Sequence, residues 1–320
     1  MTFVRTVLGD IDPSDLGVTY AHEHLVIDGG RPVEISPDFL LADVDRMVAE
    51  LRDAATAGLR SAVDMMPCDC GRNPTKLADL ARGSGVQLVA ATGLHHERFY
   101  GAGHWSVRLS EDDIADLFVA DVEQGIDRYD YSGPVVARTT VRAGVVKIAG
   151  SEGGPSNRDL PIFRAAAATH RQAGVSIHTH CEAGTGALEQ LRVLTDAGVP
   201  ADRISLSHVD KIQDRGYHSE LLATGAFAVY DQAFRWGDRP NGTLDLLEAA
   251  VADGRAGQVM LGMDAARQSY YAAFGGSPGL GYLLRGFSDL LEERGLDAAI
   301  RHRLFVDNPA RAYAFAEVGR

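Results

Sequence analysis

Cysteine is scarce: only Cys68, Cys70 and Cys181 occur in 320 residues. Three thiols are too few for a disulfide framework, and an odd number suits a reducing compartment. Cys68-x-Cys70 has no second cysteine pair and sits between Pro67 and Gly71, so it reads as a reduced loop rather than a thiolate metal site. Basic residues are also in deficit, 31 against 44 acids, for a net charge of −13. A surface this negative repels nucleic acid and anionic membrane, and neither is an expected partner. An anionic substrate would need cations gathered locally. No apolar run approaches the roughly 20 residues of a membrane span, and the opening MTFVRTVLGDIDPSDLG has no apolar signal core, so a cytoplasmic protein is expected. Linkers, repeats, low-complexity stretches and a Gly-x-Gly-x-x-Gly turn after the first strand are likewise missing.

What is present is an alternation of short β-rich apolar runs with longer segments of helical period. Eight runs stand out: GVTYAH from Gly17, SAVDMM from Ser61, QLVAATG from Gln87, AGVVKIAG from Ala143, VSIHTH from Val175, RISLSH from Arg203, AFAVYD from Ala226 and QVMLGMD from Gln258. Their continuous hydrophobicity suits strands covered on both faces. Amphipathic stretches such as 37–57, 110–128, 159–172, 186–197 and 241–252 lie between them, and a terminal helix is expected over Leu296 to Ala316. This order predicts an α/β fold, a TIM (β/α)8 barrel, as a single domain over residues 1–320.

A barrel of this kind places its chemistry where the strands end. The first run ends His22-Glu23-His24, the fourth carries Lys147, the fifth ends His178-Thr179-His180, the sixth His208 and the eighth Asp264. Strand alternation puts His22 and His24 on one face with Glu23 opposed. Any one of these residues is explained by a hydrogen bond to backbone. Five strand ends together supply the nitrogen and oxygen donors of a divalent metal site. Lys147 stands among Val145, Val146, Ile148 and Ala149, where an ammonium is costly to bury. A neutral amine there adds carbon dioxide to give a carbamate that bridges two cations; the alternative is an ion pair with Asp264 or Glu152.

Ala21-His22-Glu23-His24, Val146-Lys147-Ile148-Ala149, Thr179-His180, Ser207-His208, Gly262-Met263-Asp264 and Asp307-Asn308-Pro309-Ala310-Arg311 resemble, in order and over nearly the whole chain, the phosphotriesterase family. The resemblance implies a dinuclear hydrolase. His22, His24 and Asp264 correspond to ligands of the more buried metal, His180 and His208 to those of the more exposed one, and carbamylated Lys147 to the bridge. His178 is left as a core or supporting residue. It further implies attack by a hydroxide held between the metals, with Asp264 passing the proton to the leaving oxygen. Lys147 and Asp264 are thus the catalytic candidates. Zinc, cobalt, manganese and iron all suit the donors.

Two departures bear on substrate. His208-Val209-Asp210-Lys211 has a base where triesterases carry an acid, and Thr92-Gly93-Leu94-His95 lacks the tyrosine of quorum-lactone enzymes. Both segments, with Gly262-Met263-Asp264-Ala265-Ala266-Arg267 and Gly275-Gly276-Ser277-Pro278-Gly279-Leu280, resemble a branch that includes lactonases of phosphorylated sugars. That likeness makes Arg235, Arg267 and Tyr270 candidates for an anionic group, with Lys211 and His95 beside the substrate. The alternative for Arg235 and Arg267 is a solvated rim paired with Asp231, Asp238 or Glu97. The leading expectation is a lactonase acting on a small molecule; triesterase or N-acyl amino acid hydrolase activity and a non-catalytic binding role are the competitors. His95 to Trp105 is a candidate homodimer surface.

Overall fold

The computed structural model describes residues 2–237 and 240–318. A short antiparallel hairpin, β1 (Val4–Thr6) and β2 (Gly9–Ile11), opens the chain. Eight parallel strands follow, each paired with the next in sequence: β3 (Thr19–Glu23), β4 (Ser61–Asp64), β5 (Gln87–Leu94), β6 (Ala143–Gly150), β7 (Ser176–Cys181), β8 (Ile204–Ser207), β9 (Phe227–Tyr230) and β10 (Val259–Leu261). Each of the eight expected runs overlaps one of these strands, with β3, β5 and β7 each extending one residue past its run. The ring closes where the Asp264 N–H donates to the His22 carbonyl at 2.9 Å. The Glu23 carboxylate crosses the same seam and accepts from the Met263 and Ala265 N–H groups at 2.7 and 3.3 Å. The fold is the expected TIM barrel.

Strand β6 shows why the runs are continuously apolar. All eight of its residues are buried; Val146 and Ile148 pack outward under the helices, while Val145 joins the barrel interior with Val63, Val89, Phe227, Val229 and Met260. Val4, Leu16 and Tyr313 belong to that same interior cluster, so the two ends of the chain seal the barrel floor. Gly93 of β5 allows its strand to approach β6, since a Cβ there would run into the Lys147 carbonyl, and its φ of 118° suits glycine.

Helices α1 (Gly30–Ile35), α2 (Val44–Thr56), α3 (Pro74–Ser84), α4 (Glu111–Glu123), α5 (Asp159–Ala173), α6 (Ala187–Asp196), α7 (Arg215–Ala223) and α8 (Gly242–Ala252) follow the strands in turn. Local chemistry fixes their starts. The Asp43 side chain caps α2, Asn73 caps α3, Ser110 and Asp113 form a reciprocal capping box on α4, and Asn241 caps α8. Helix α9 (Gly286–Glu293) precedes the terminal helix. The terminal helix expected over 296–316 winds without interruption over 298–313, where α10 (Ala298–His302) and α11 (Asn308–Tyr313) are joined through a wider five-residue π turn, Arg303–Asp307. Pro309 cannot donate to the turn before it, which removes one ladder bond and accommodates the wider winding. Among the described residues no helix is long and apolar enough to cross a membrane.

Candidate metal centre and substrate cavity

The first pair of histidines is delivered by a defect in β3. Tyr20 pairs with Ala62 and Glu23 with Asp64, so Ala21 and His22 together stand opposite Val63. Such a bulge re-aims a side chain beside an active site. His22 and His24 end with ring centroids 5.3 Å apart, and one Asp264 oxygen, Oδ1, lies 3.6 Å from His22 Nε2 and 3.3 Å from His24 Nε2. The three side chains offer donor atoms all within 4.8 Å of one another. His22 Nε2 is buried without a hydrogen-bond partner, while its Nδ1 meets Asp231 Oδ2 at 3.0 Å. Burial holds the His22 imidazole well below its usual range, so Nε2 presents a lone pair. A neutral imidazole with an unused buried nitrogen facing a carboxylate is a donor set that fits a divalent cation.

The second pair is more open. His180 and His208 lie with centroids 4.4 Å apart. His208 Nδ1 meets the Asp231 carboxylate at 2.9 Å, leaving Nε2, and His180 Nε2 meets Glu182 Oε2 at 2.8 Å, leaving Nδ1. Burial lowers the His180 imidazole to about 3 against the opposing pull of Glu182. The Asp231 carboxyl is pushed up by burial but held well below its usual range by the His208 and His22 imidazoles. The second compact set of His, Cys, Asp or Glu donors among the described residues is His22, His208 and Asp231. Asp231 spends both oxygens on imidazole nitrogens, the arrangement of a carboxylate that orients ligands from behind.

Lys147 is fully buried. Its Nζ donates to Ser207 Oγ at 3.3 Å, and it forms no ion pair with Asp264 or Glu152 among the described residues. Burial lowers its amine to about 8 despite Asp264 and Asp231 nearby. His178, one layer deeper on β7, packs edge-on to His22 at 5.0 Å with neither ring nitrogen bonded. Cys68, Cys70 and Cys181 are free and buried, and burial pushes the Cys68 thiol up to about 12.

Above these groups opens a cavity of about 250 Å³, and Arg235, Arg267, Tyr270, Lys211 and His95 all line it. The His95 ring lies 5.0 Å from His180. Lys211 makes no ion pair among the described residues. Arg267 lies over the Phe39 ring at 4.2 Å, donates to Ser36 Oγ at 3.2 Å and reaches Asp38 only at 3.8 Å. Arg235 is differently placed, with its donors on the Asp231, Met263 and Asp264 carbonyls and on Asp264 Oδ2. Glu97 instead pairs with Arg158 at 3.8 Å, and Asp238 lies outside the described residues. Arg98, another cavity residue, is tied to Glu182 at 2.9 Å. Asp231 and Glu182 were not singled out as supports from sequence, although Asp231 ends the seventh run and Glu182 stands two residues after His180.

The phosphotriesterase family model matches residues 2–313. The chain is 32% identical over 326 residues to a phospho-furanose lactonase of Mycoplasmopsis synoviae, covering 98% of this chain and 92% of that protein. A crystal structure of an amidohydrolase from Mycoplasma synoviae superposes with a TM-score of 0.96 at 32% identity, covering 100% of this chain and 94% of the other. A lactonase from Listeria monocytogenes superposes with a TM-score of 0.90 at 29% identity, covering 98% and 100%.

Proposed function

This chain belongs to the phosphotriesterase family and is a hydrolase, and from that premise we propose that it is a dinuclear lactonase for a sugar-type lactone bearing a phosphate or carboxylate. The observation that carries the reading is the pairing of a His22, His24 and Asp264 donor set with the Lys211 ammonium and the Arg267 guanidinium in the lining of the same cavity. In this reading His22, His24 and Asp264 would hold one divalent ion and His180 and His208 a second, with carbamylated Lys147 as a further ligand. When bound, the ions supply a water of lowered pKa and a Lewis acid for the carbonyl oxygen.

The remaining work falls to the chain itself. Asp231 and Glu182 hold three imidazoles in the orientation that frees one nitrogen each. Asp264 Oδ2, turned away from the His22 and His24 nitrogens, receives the proton released on attack and returns it to the ring oxygen as the lactone opens. Lys211 and Arg267 draw the anionic group to the rim against the chain's net charge of −13. Tyr270 closes the side of the cavity beside Phe234, their rings 5.0 Å apart.

The test is a pH-based hydrolysis screen of metal-loaded protein. It compares phosphorylated sugar lactones, neutral lactones, N-acyl amino acids and phosphotriesters, with Arg267→Ala beside wild type. Charged lactones are expected to lead, and the variant to lose that preference. A lead for triesters or amides that Arg267→Ala leaves intact contradicts the substrate assignment.

A further inference from the structure

The turn that ends β10 is strained and tied at every polar backbone atom. Asp264 has a φ of 49°, a left-handed conformation that is unfavourable for a non-glycine residue. Glu23 accepts from Met263 N–H at 2.7 Å and Ala265 N–H at 3.3 Å. Asp264 N–H donates to the His22 carbonyl at 2.9 Å, and Tyr271 donates its hydroxyl to the Ala265 carbonyl at 2.6 Å. The two remaining carbonyls, of Met263 and Asp264, accept from Arg235 at 2.9 and 2.7 Å. All six backbone groups of Met263, Asp264 and Ala265 are thereby satisfied, which a buried segment requires.

Arg235 has little left to offer a ligand. A guanidinium carries five N–H groups. Nη1 serves the Asp231 carbonyl at 2.7 Å as well as Met263, and Nη2 serves Asp264 Oδ2 at 3.2 Å as well as the Asp264 carbonyl. Only Nε–H stands outside these four bonds, so the fork cannot grip a phosphate or carboxylate with two parallel bonds. The group is fixed further by Phe234 and Tyr270, whose ring centroids lie 4.4 and 5.4 Å from its central carbon. Its bonds also join the end of β9, through Asp231, to the end of β10.

We propose that Arg235 is a positioning residue for Asp264 rather than an anchor for the substrate's anionic group. It holds the strained turn and Oδ2, so that Oδ1 faces His22 and His24, and it leaves the anion to Arg267 and Lys211. The proposal rests on the lactonase reading for its kinetic arm, while its metal arm needs no substrate.

The test uses full-length, metal-loaded Arg235→Met and Arg235→Lys beside Arg267→Ala and wild type. Turnover of a phosphorylated and a neutral lactone is measured, together with metal retained under a fixed chelator challenge. Both Arg235 variants should lose kcat on the order of 100-fold, as expected for a misplaced catalytic group. The loss should be equal for the two lactones, without a selective rise in KM, and metal should leave faster. Lysine should not rescue, because three N–H donors cannot serve four acceptors. Arg267→Ala should instead raise KM for the phosphorylated lactone alone. Rescue by lysine, a KM effect confined to the charged substrate in Arg235→Met, or wild-type kcat and metal retention in both variants overturns the proposal. If Arg235→Met fails to fold, Arg235→Lys, which keeps the charge, decides between the same outcomes. A wild-type protein that binds metal but opens no lactone contradicts the lactonase reading, and the chelator arm still judges Arg235.

Discussion

The lower and upper halves of the barrel interior are built from the same strands and obey opposite rules. Below, Val63, Val89, Val145, Phe227, Val229 and Met260 fill the barrel with apolar volume. Above, those strands end in imidazoles, carboxylates and an amine, with His22 Nε2 and both His178 nitrogens lacking partners. The floor has the close packing expected of a TIM barrel core. The mouth keeps polar atoms buried and unpaired, each costing about 1–3 kcal/mol. Stability is concentrated in the floor, and the mouth gives some of it up for ligand-binding capacity.

The contrast is broken most severely at Lys147. Replacing it by methionine should lower lactone turnover by at least about 1,000-fold, the scale of losing a metal-centred activation. Yet the metal-free variant should melt above metal-free wild type, because an unpaired buried amine is removed. Calorimetry of the apo proteins beside turnover of the loaded ones checks both halves; a lower apo melting temperature contradicts the ledger of the mouth. Phe227→Ala, in the floor, should behave in reverse. It should cost roughly 3–5 kcal/mol in denaturant unfolding while leaving the metal content of the folded fraction unchanged.

Smaller effects separate parts of the mouth. Asp231→Asn removes an acceptor shared by His22 and His208, and metal affinity should fall about 10- to 100-fold in a competition titration. Loading should also depend on pH. The Lys147 amine, lowered by burial to about 8, is protonated below that value and free above it. At a fixed concentration of dissolved carbon dioxide, carbamate formation by the apo protein, which consumes the free amine, should therefore quicken as pH rises through about 8, and a rate that falls under that condition contradicts the carbamate. Last, Arg267→Ala should raise KM for a charged lactone about 10-fold, one charge-assisted hydrogen bond, with no change for a neutral lactone.

The sequence was most informative where short-range pattern decides structure. The eight β-rich runs and the donors at their ends depend on neighbours within a few residues, and all eight runs form strands of the barrel. Bonds between distant positions were hidden. His22 meets Asp231 across 209 positions, and Met263 meets Glu23 across 240. Nothing near Glu23 in sequence shows that its carboxylate stitches the barrel seam. Alternation placed His22 and His24 on one face, but not the bulge that sets Ala21 and His22 opposite Val63. Arg235 was legible as a cavity cation; that its donors were already committed required the carbonyls of two strands. The terminal helix expected over 296–316 forms over 298–313, but nothing in its apolar period shows the π turn at Arg303–Asp307 ahead of Pro309.

The most direct test of the central claim is the metal content of protein loaded in bicarbonate and passed through a desalting column, wild type beside Lys147→Ala. A dinuclear centre predicts about two divalent ions per wild-type chain. The variant should keep fewer, with the loss matched by the disappearance of a carbamate carbon signal after labelling with ¹³C-bicarbonate. Equal metal content in the two proteins, with no carbamate signal in either, would contradict it.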